Sequence, residues 1–368
     1  MDFTFTSEQD DAASLAAQIL GDRVTLERHQ ALEAGGDRFD ADLWASLGEA
    51  GLLSLVVPEA HDGAGLDLIT LARVVVEAGR VLAPVPLVTH GAATLLLGEA
   101  GSAEQRAAWL AGAGTGQRLL TVAVSEERAH LPESPVTRAV AARDGFRVTG
   151  SKSLVRAGSH AAAHLVTAST DEGTAVLLVR ADAPGVTATT MRTSDGDTVV
   201  RLELDSAPAE LVGVADGSTA TRLGQLVTVL ECAELLGVTE GALALTAAYA
   251  RTREQFGRPI GTFQAVSQRL ADGYIDVLGQ RLTLWSAAWH LTEHDPAAPI
   301  EVATAKLWAA DAAHRLAHTT VHVHGGVGID LEGEAHRFFT TAKRFEFAYG
   351  SATEQALAVG RVLANEPA

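Results

Sequence analysis

Apolar residues in the first part of the chain recur at three- and four-residue intervals, the period of an amphipathic helix. From Thr6 the positions of Ala12, Leu15, Ala16 and Ile19 fit one helix, with Ser7 as its N-cap and Asp10 three places on. The same period returns over 40–51, 67–79, 88–98 and 103–111; before the second of these, 58–65 carries a proline and two glycines. Near Leu119 the period changes. The segments 120–125, 136–142, 145–149, 163–168, 174–179 and 198–204 are short and rich in valine and threonine, with turn signals such as Asp144-Gly145 and Ala183-Pro184-Gly185 between them. Short strands without intervening helices predict an antiparallel sandwich or barrel. From Ser218 the helical period resumes through Leu291, then from about Pro299 to Val323, and again from about Glu334 and Thr353. The predicted class is α+β in three domains: helical over 1–117, β over 118–216 and a helical bundle over 217–368.

Composition narrows the function. The chain has 368 residues, 47% of them hydrophobic, enough for a sizeable core. No apolar stretch approaches the eighteen or so residues of a membrane helix, and the N-terminus has neither the basic start nor the apolar run of a signal peptide. A cytoplasmic protein without membrane insertion is expected. The net charge of −18 argues against nucleic acid or an anionic membrane as partner. The single cysteine, Cys232, falls inside a helical pattern, which excludes an intrachain disulfide and a metal site built on cysteines.

Two long helical patterns meet at 251–264, where Gly257 and Pro259 interrupt the period. Arg251, Arg253 and Arg258 crowd onto this helix end and its exit turn, a charge arrangement suited to an anion. Arginines at a helix C-terminus also complement the macrodipole without any ligand. The string as a whole, R-x-x-F-G-x-x-I-G-x-F-Q, resembles the signature of the acyl-CoA dehydrogenase family. The resemblance implies an N-terminal helical domain, a middle antiparallel β-domain and a C-terminal four-helix bundle, with FAD as cofactor. It further implies that Arg253, Phe256 and Gln264 lie at a subunit interface, Arg253 and Gln264 reaching a flavin held mainly by the neighbouring chain. The opening Met-Asp-Phe, Gly-Leu-Leu at 51–53 and Val-Pro-Glu at 57–59 resemble the same family's N-terminal domain.

Other segments extend the resemblance. His322-Val-His-Gly325-Gly326-Val-Gly resembles the family's Q-x-x-G-G-x-G element along the dinucleotide, with His322 in place of glutamine; His322 and His324, two apart on a helix, diverge too far for a zinc site. Val122-Ala-Val-Ser125-Glu126 resembles the strand passing the flavin ring, but Glu127 to Pro132 replaces the loop that normally contacts acyl-CoA. Gly150 to Val155 resembles the second flavin strand, with Leu154 where the family commonly has an aromatic residue.

Acyl-CoA dehydrogenation needs a carboxylate to remove a proton next to the thioester. In Phe347-Ala-Tyr349-Gly-Ser351, Tyr349 occupies the family's glutamate position, and a tyrosine with an ordinary pKa of about 10 is a poor base. Ser351 matches a cofactor contact. The alternative family position falls on Val227, with Glu231 one turn on as the outside candidate for a displaced base. Three readings are compatible with these residues. One is the base-less, FAD-binding subunit of a heteromeric α2β2 acyl-CoA dehydrogenase, acting on steroid or other bulky acyl-CoA substrates and passing electrons to an electron-transfer acceptor. The others are a self-sufficient flavoenzyme with a displaced base and a flavin-free interaction module.

Overall fold

The computed structural model describes residues 4–365; the opening Met-Asp-Phe lies outside them. Helix α1 spans Ser7–Arg23, and its N-cap is Thr6 rather than Ser7. Thr6 wins because Gln9 stands three residues after it. The Thr6 hydroxyl accepts the Gln9 N–H at 3.3 Å and the Gln9 amide oxygen accepts the Thr6 N–H at 3.1 Å, a reciprocal capping box. Helix α2, Leu26–Gly35, was not expected; it has almost no apolar stripe and buries only His29. The expected helices follow as α3 (Ala41–Glu49), α4 (Leu68–Arg80), α5 (Leu87–Ala100) and α6 (Ala103–Gly114), with Asp40 and Ser102 capping α3 and α6.

Strands β1 (Leu120–Ala123), β2 (Arg138–Ala142), β3 (Gly145–Arg156), β4 (Ala163–Ser169), β5 (Thr174–Arg180), β6 (Val186–Arg192) and β7 (Thr198–Val212) form one 7-stranded sheet. The pairings β4–β2, β2–β3, β3–β7, β7–β5 and β5–β4 return to their start, so the sheet closes into a barrel, with β1 added on β4 and β6 on β7. Antiparallel pairing dominates as expected, except that β1 and β2 each pair β4 in parallel. Closure leaves an interior filled by inward side chains such as Val148, Val166, Leu177, Val200 and Leu202.

The C-terminal segment forms α7 (Ser218–Thr252), a minimal hairpin of β8 (Glu254–Gln255) and β9 (Arg258–Pro259), then α8 (Gln264–Thr292), α9 (Ala298–His324), α10 (Ala335–Phe345) and α11 (Ala352–Asn365). Helix α9 packs on α8, α10 and α11. Buried hydroxyls tie α7 to the others: Thr239 to Gln280 of α8 at 2.8 Å and Thr246 to Thr320 of α9 at 3.2 Å. The chain folds as two compact units, one drawn from Met1–Ala34, Ala72–Ala83 and Thr228–Ala368, the other from Gly35–Leu71 and Pro84–Val227. Among the described residues no helix is long and apolar enough to cross a membrane.

Candidate active site and cofactor site

The 251–264 string is a hairpin rather than a simple break. Phe256 and Gly257 both have positive φ, 54° and 76°, the backbone of a two-residue type I′ turn. Glycine adopts that conformation freely; phenylalanine does not. Phe256 is nonetheless 92% exposed at the tip, held only edge-on to Phe263 at 6.2 Å. The Arg258 guanidinium lies over the Phe263 ring at 4.3 Å and so is tied to the hairpin. Arg253 is different: it is exposed, and its guanidinium has no partner among the described residues. Gln264 is the exposed first residue of α8, whose N-cap, Phe263, supplies no side-chain cap. An uncapped helix N-terminus and a free guanidinium, on either end of the same hairpin connection, each suit a phosphate.

Helix α9 ends at His324, and Gly325 turns the chain with φ 65°. A Cβ on Gly325 or Gly326 would meet nothing within 4 Å, so the chain leaves the space over this turn open, while a Cβ on Gly328 would strike the Val321 carbonyl at 2.7 Å. His322 is exposed in the last turn of the helix. These residues fit a dinucleotide: free cationic donors at the end of α7, an uncapped α8 and an open glycine turn ending α9.

Ser125 belongs to the other compact unit, just past the end of β1. Its hydroxyl donates to the His130 carbonyl at 2.8 Å, and its carbonyl accepts the Ser153 N–H at 2.9 Å. A buried ion pair that the sequence did not announce stands next to it. Lys152 is 0% exposed; its ammonium meets Glu126 at 2.9 Å, the Thr167 hydroxyl at 3.2 Å and the Val124 carbonyl at 3.4 Å. Glu126 also accepts the N–H groups of Val136 at 2.7 Å and Thr137 at 3.0 Å, closing the base of the loop that departs from the family pattern. Burial pulls the Lys152 ammonium down to about 8, with Glu126 opposing that pull. Burial pushes the Glu126 carboxyl up, but Lys152 and the two N–H donors outweigh it and hold the group at about 2. Two residues on, a register shift in β3 turns Leu154 outward, 46% exposed and at φ 54°.

The positions where the resemblance expects a base hold Tyr349 and Val227, neither a carboxylate. Tyr349, half-buried, sits at φ 56° in the turn between α10 and α11, followed by Gly350 at φ 115°. The Ser351 N–H and hydroxyl both bond Glu354, at 2.7 and 2.9 Å, so Ser351 caps α11. Val227 is fully buried. Glu231 is 2% exposed, and its charge acts on the fully buried Lys306, whose ammonium donates to the Phe345 carbonyl at 2.7 Å and so caps α10. Burial lowers the Lys306 pKa, opposed by the carboxylates of Glu231, Glu346 and Glu354. Burial pushes the neighbouring Cys232 thiol up to about 12. Glu231 thus belongs to a buried charge cluster of the bundle. Lys152, Glu126 and Lys306 carry no local signature because each acts through a tertiary partner; a lysine flanked by Ser151 and Ser153 inside a strand was the one available signal.

Comparison with known proteins gives matches along the chain. Residues 6–117 match the family model "Acyl-CoA dehydrogenase, N-terminal domain", and residues 229–364 the corresponding C-terminal domain model. The chain is 46% identical over 377 residues to acyl-CoA dehydrogenase FadE27 of Mycobacterium tuberculosis, covering 100% of both chains. It superposes on a chain of the ChsE4-ChsE5 complex from the same organism with a TM-score of 0.94 and 46% identity, covering 100% of both. A chain of the Tcur3481-Tcur3483 steroid ACAD gives a TM-score of 0.93 and 38% identity, with coverage of 97% and 98%.

Proposed function

The chain belongs to the acyl-CoA dehydrogenase family, an FAD-dependent family, and from that premise we propose that it is the base-less, flavin-holding subunit of a heteromeric α2β2 enzyme. Its substrate is an acyl-CoA thioester with a bulky, steroid-like acyl group. The observation that carries the reading is Tyr349 where the family's glutamate stands, with Val227 at the alternative position and Glu231 committed to the Lys306 cluster. The assembly and substrate class draw support from the likeness to two solved complexes, one described as a steroid ACAD.

In this reading Arg253, Gln264 and His322, with the Gly325–Gly326 turn and Phe256 at the hairpin tip, hold the dinucleotide at a subunit boundary. The resemblance also assigns cofactor contacts to Ser125 and Ser351, each taken within its own compact unit. When bound, FAD supplies the hydride acceptor and passes its electrons to an external acceptor. The α-proton leaves to a carboxylate of the partner subunit, because this chain offers none that is accessible at the family's positions. Arg253 contributes paired N–H donors to a phosphate without having to break an existing ion pair.

Purification of the chain alone and co-expressed with its related subunit tests the proposal. The co-expressed complex is expected to be yellow and to oxidise bulky acyl-CoA substrates; the chain alone is expected to be inactive. Turnover by the chain alone would make it self-sufficient, and a colourless complex would remove the cofactor role.

A further inference from the structure

Two aromatic side chains join the ends of α7 and α9. The Tyr249 and His324 rings stack with centroids 4.3 Å apart and planes 23° apart. The Tyr249 hydroxyl also reaches the His324 carbonyl, at 3.5 Å. That carbonyl belongs to the last residue of α9, where helical carbonyls lack partners within the helix. His324 is fixed from its own side: its Nδ1 lies 2.8 Å from the Thr320 carbonyl, which sets Nδ1 as the protonated nitrogen. One turn back, the Thr246 hydroxyl bonds Thr320 across the same two helices.

The spacing gives this ladder a direction. Thr246 and Tyr249, three residues apart, share one face of α7, and Arg253 directly follows the helix with its N–H on the Tyr249 carbonyl at 2.9 Å; Thr320 and His324 share one face of α9. The ladder therefore ends with Arg253 just past α7 and the Gly325–Gly326 turn just past α9. Gly325 follows the stacked histidine directly, so where His324 is held decides where the open turn lies. We infer that Tyr249 is a positioning residue that registers the end of α9 against the end of α7, so that the glycine turn and Arg253 act on the same dinucleotide. The inference rests on the flavin role of those residues and adds to it a group that need not touch the cofactor.

The alternative role for the pair is ordinary helix packing, which would affect stability and leave affinity alone. The test uses the full chain co-expressed with its partner subunit, with FAD affinity read from flavin fluorescence on dilution. Tyr249→Leu removes both stack and hydroxyl and is expected to weaken FAD binding about tenfold, the upper end of what an aromatic pair contributes. Helical content and assembly should not change. Tyr249→Phe keeps the stack and should stay within about threefold of the original affinity, a rescue that packing alone does not predict. Should Tyr249→Leu fail to assemble, His324→Ala removes the stack from the other helix, with the same loss expected. Unchanged affinity in the Leu variant, or in His324→Ala where that variant takes its place, overturns the inference if Arg253→Ala still weakens binding. Equal losses in the Phe and Leu variants overturn it as well. If Arg253→Ala is also without effect, the dinucleotide site itself has been misplaced.

Discussion

Replacing Lys152 with methionine should destabilise the protein strongly, because it strands a buried carboxylate. In the native chain the ammonium is 0% exposed and satisfies Glu126, the Thr167 hydroxyl and the Val124 carbonyl together. Methionine fills similar volume, so the loss is electrostatic rather than a cavity. Removing one member of a buried pair costs on the order of 3–5 kcal/mol. Glu126 keeps two backbone N–H donors, at 2.7 and 3.0 Å, so a value near the lower bound, about 3 kcal/mol, is expected. The assay is urea unfolding followed by far-UV circular dichroism, with hydrogen exchange at Val136 and Thr137 reporting the loop base. Adding Glu126→Gln to Lys152→Met removes the stranded charge and should recover part of the loss. A loss below about 1 kcal/mol for Lys152→Met, or a double variant less stable than the sum of the singles, would refute the reasoning. Acid provides an independent check. Glu126 sits at about 2 when folded, against 4.5 ordinarily, so its contribution is complete above the ordinary value and lost as pH falls from about 4.5 to about 2. The Glu126→Gln variant should lack that part of the acid sensitivity.

Other outcomes follow from the two helical ends and the bundle core. Arg253→Ala should lower the flavin content of the assembled complex with helical content intact; unchanged flavin stoichiometry would remove Arg253 from the site. Glu231→Gln should leave turnover of the complex nearly unchanged while lowering its thermal stability, whereas losing a positioned base costs on the order of 10²–10⁴-fold in rate. A large rate loss with flavin and assembly intact would make Glu231 the base. Cys232, pushed up to about 12 by burial, should resist a thiol reagent at about pH 8 until urea unfolds the bundle, and labelling of the native protein at the rate of a free thiol would contradict that environment.

The helices legible in the sequence were those with an apolar stripe. Helix α2 had none: Thr25 caps it, accepting the Arg28 N–H at 3.2 Å, but its one buried residue, His29, carries no hydrophobic signal. Strand β6 was invisible for a related reason: Val186–Arg192 is exposed along nearly its whole length and is held by backbone pairing to β7, so no alternation marks it. Strand β7 runs on to Val212 although Ser206 has φ 52° and Pro208 lies inside it, features that read as a turn when the pairing with β3 and β5 is unknown. In each case the missing information was a partner far along the chain.

The site divides along the same line. Arg253, Gln264 and Gly325 could be proposed from the sequence because their local string bounds what they can do: an arginine past a helix end, a first helical residue, a glycine at positive φ. What holds them could not. Tyr249 meets His324 75 residues away and Lys152 meets Glu126 26 residues away, separations at which no spacing rule operates. Groups that touch a ligand are constrained by the ligand's chemistry and leave a local signature. Groups that position them are constrained only by geometry, which many residue pairs can satisfy. The expectation for Tyr349 follows from this asymmetry: a base has one chemical requirement, an ionisable group of suitable pKa, which a tyrosine at the expected base position does not meet. The neighbouring framework of Lys306, Glu231 and Glu346 still keeps the turn that carries it in place. The proposed role, a fold that serves a shared cofactor with the proton left to another subunit, rests on that framework together with Tyr349 at the expected base position.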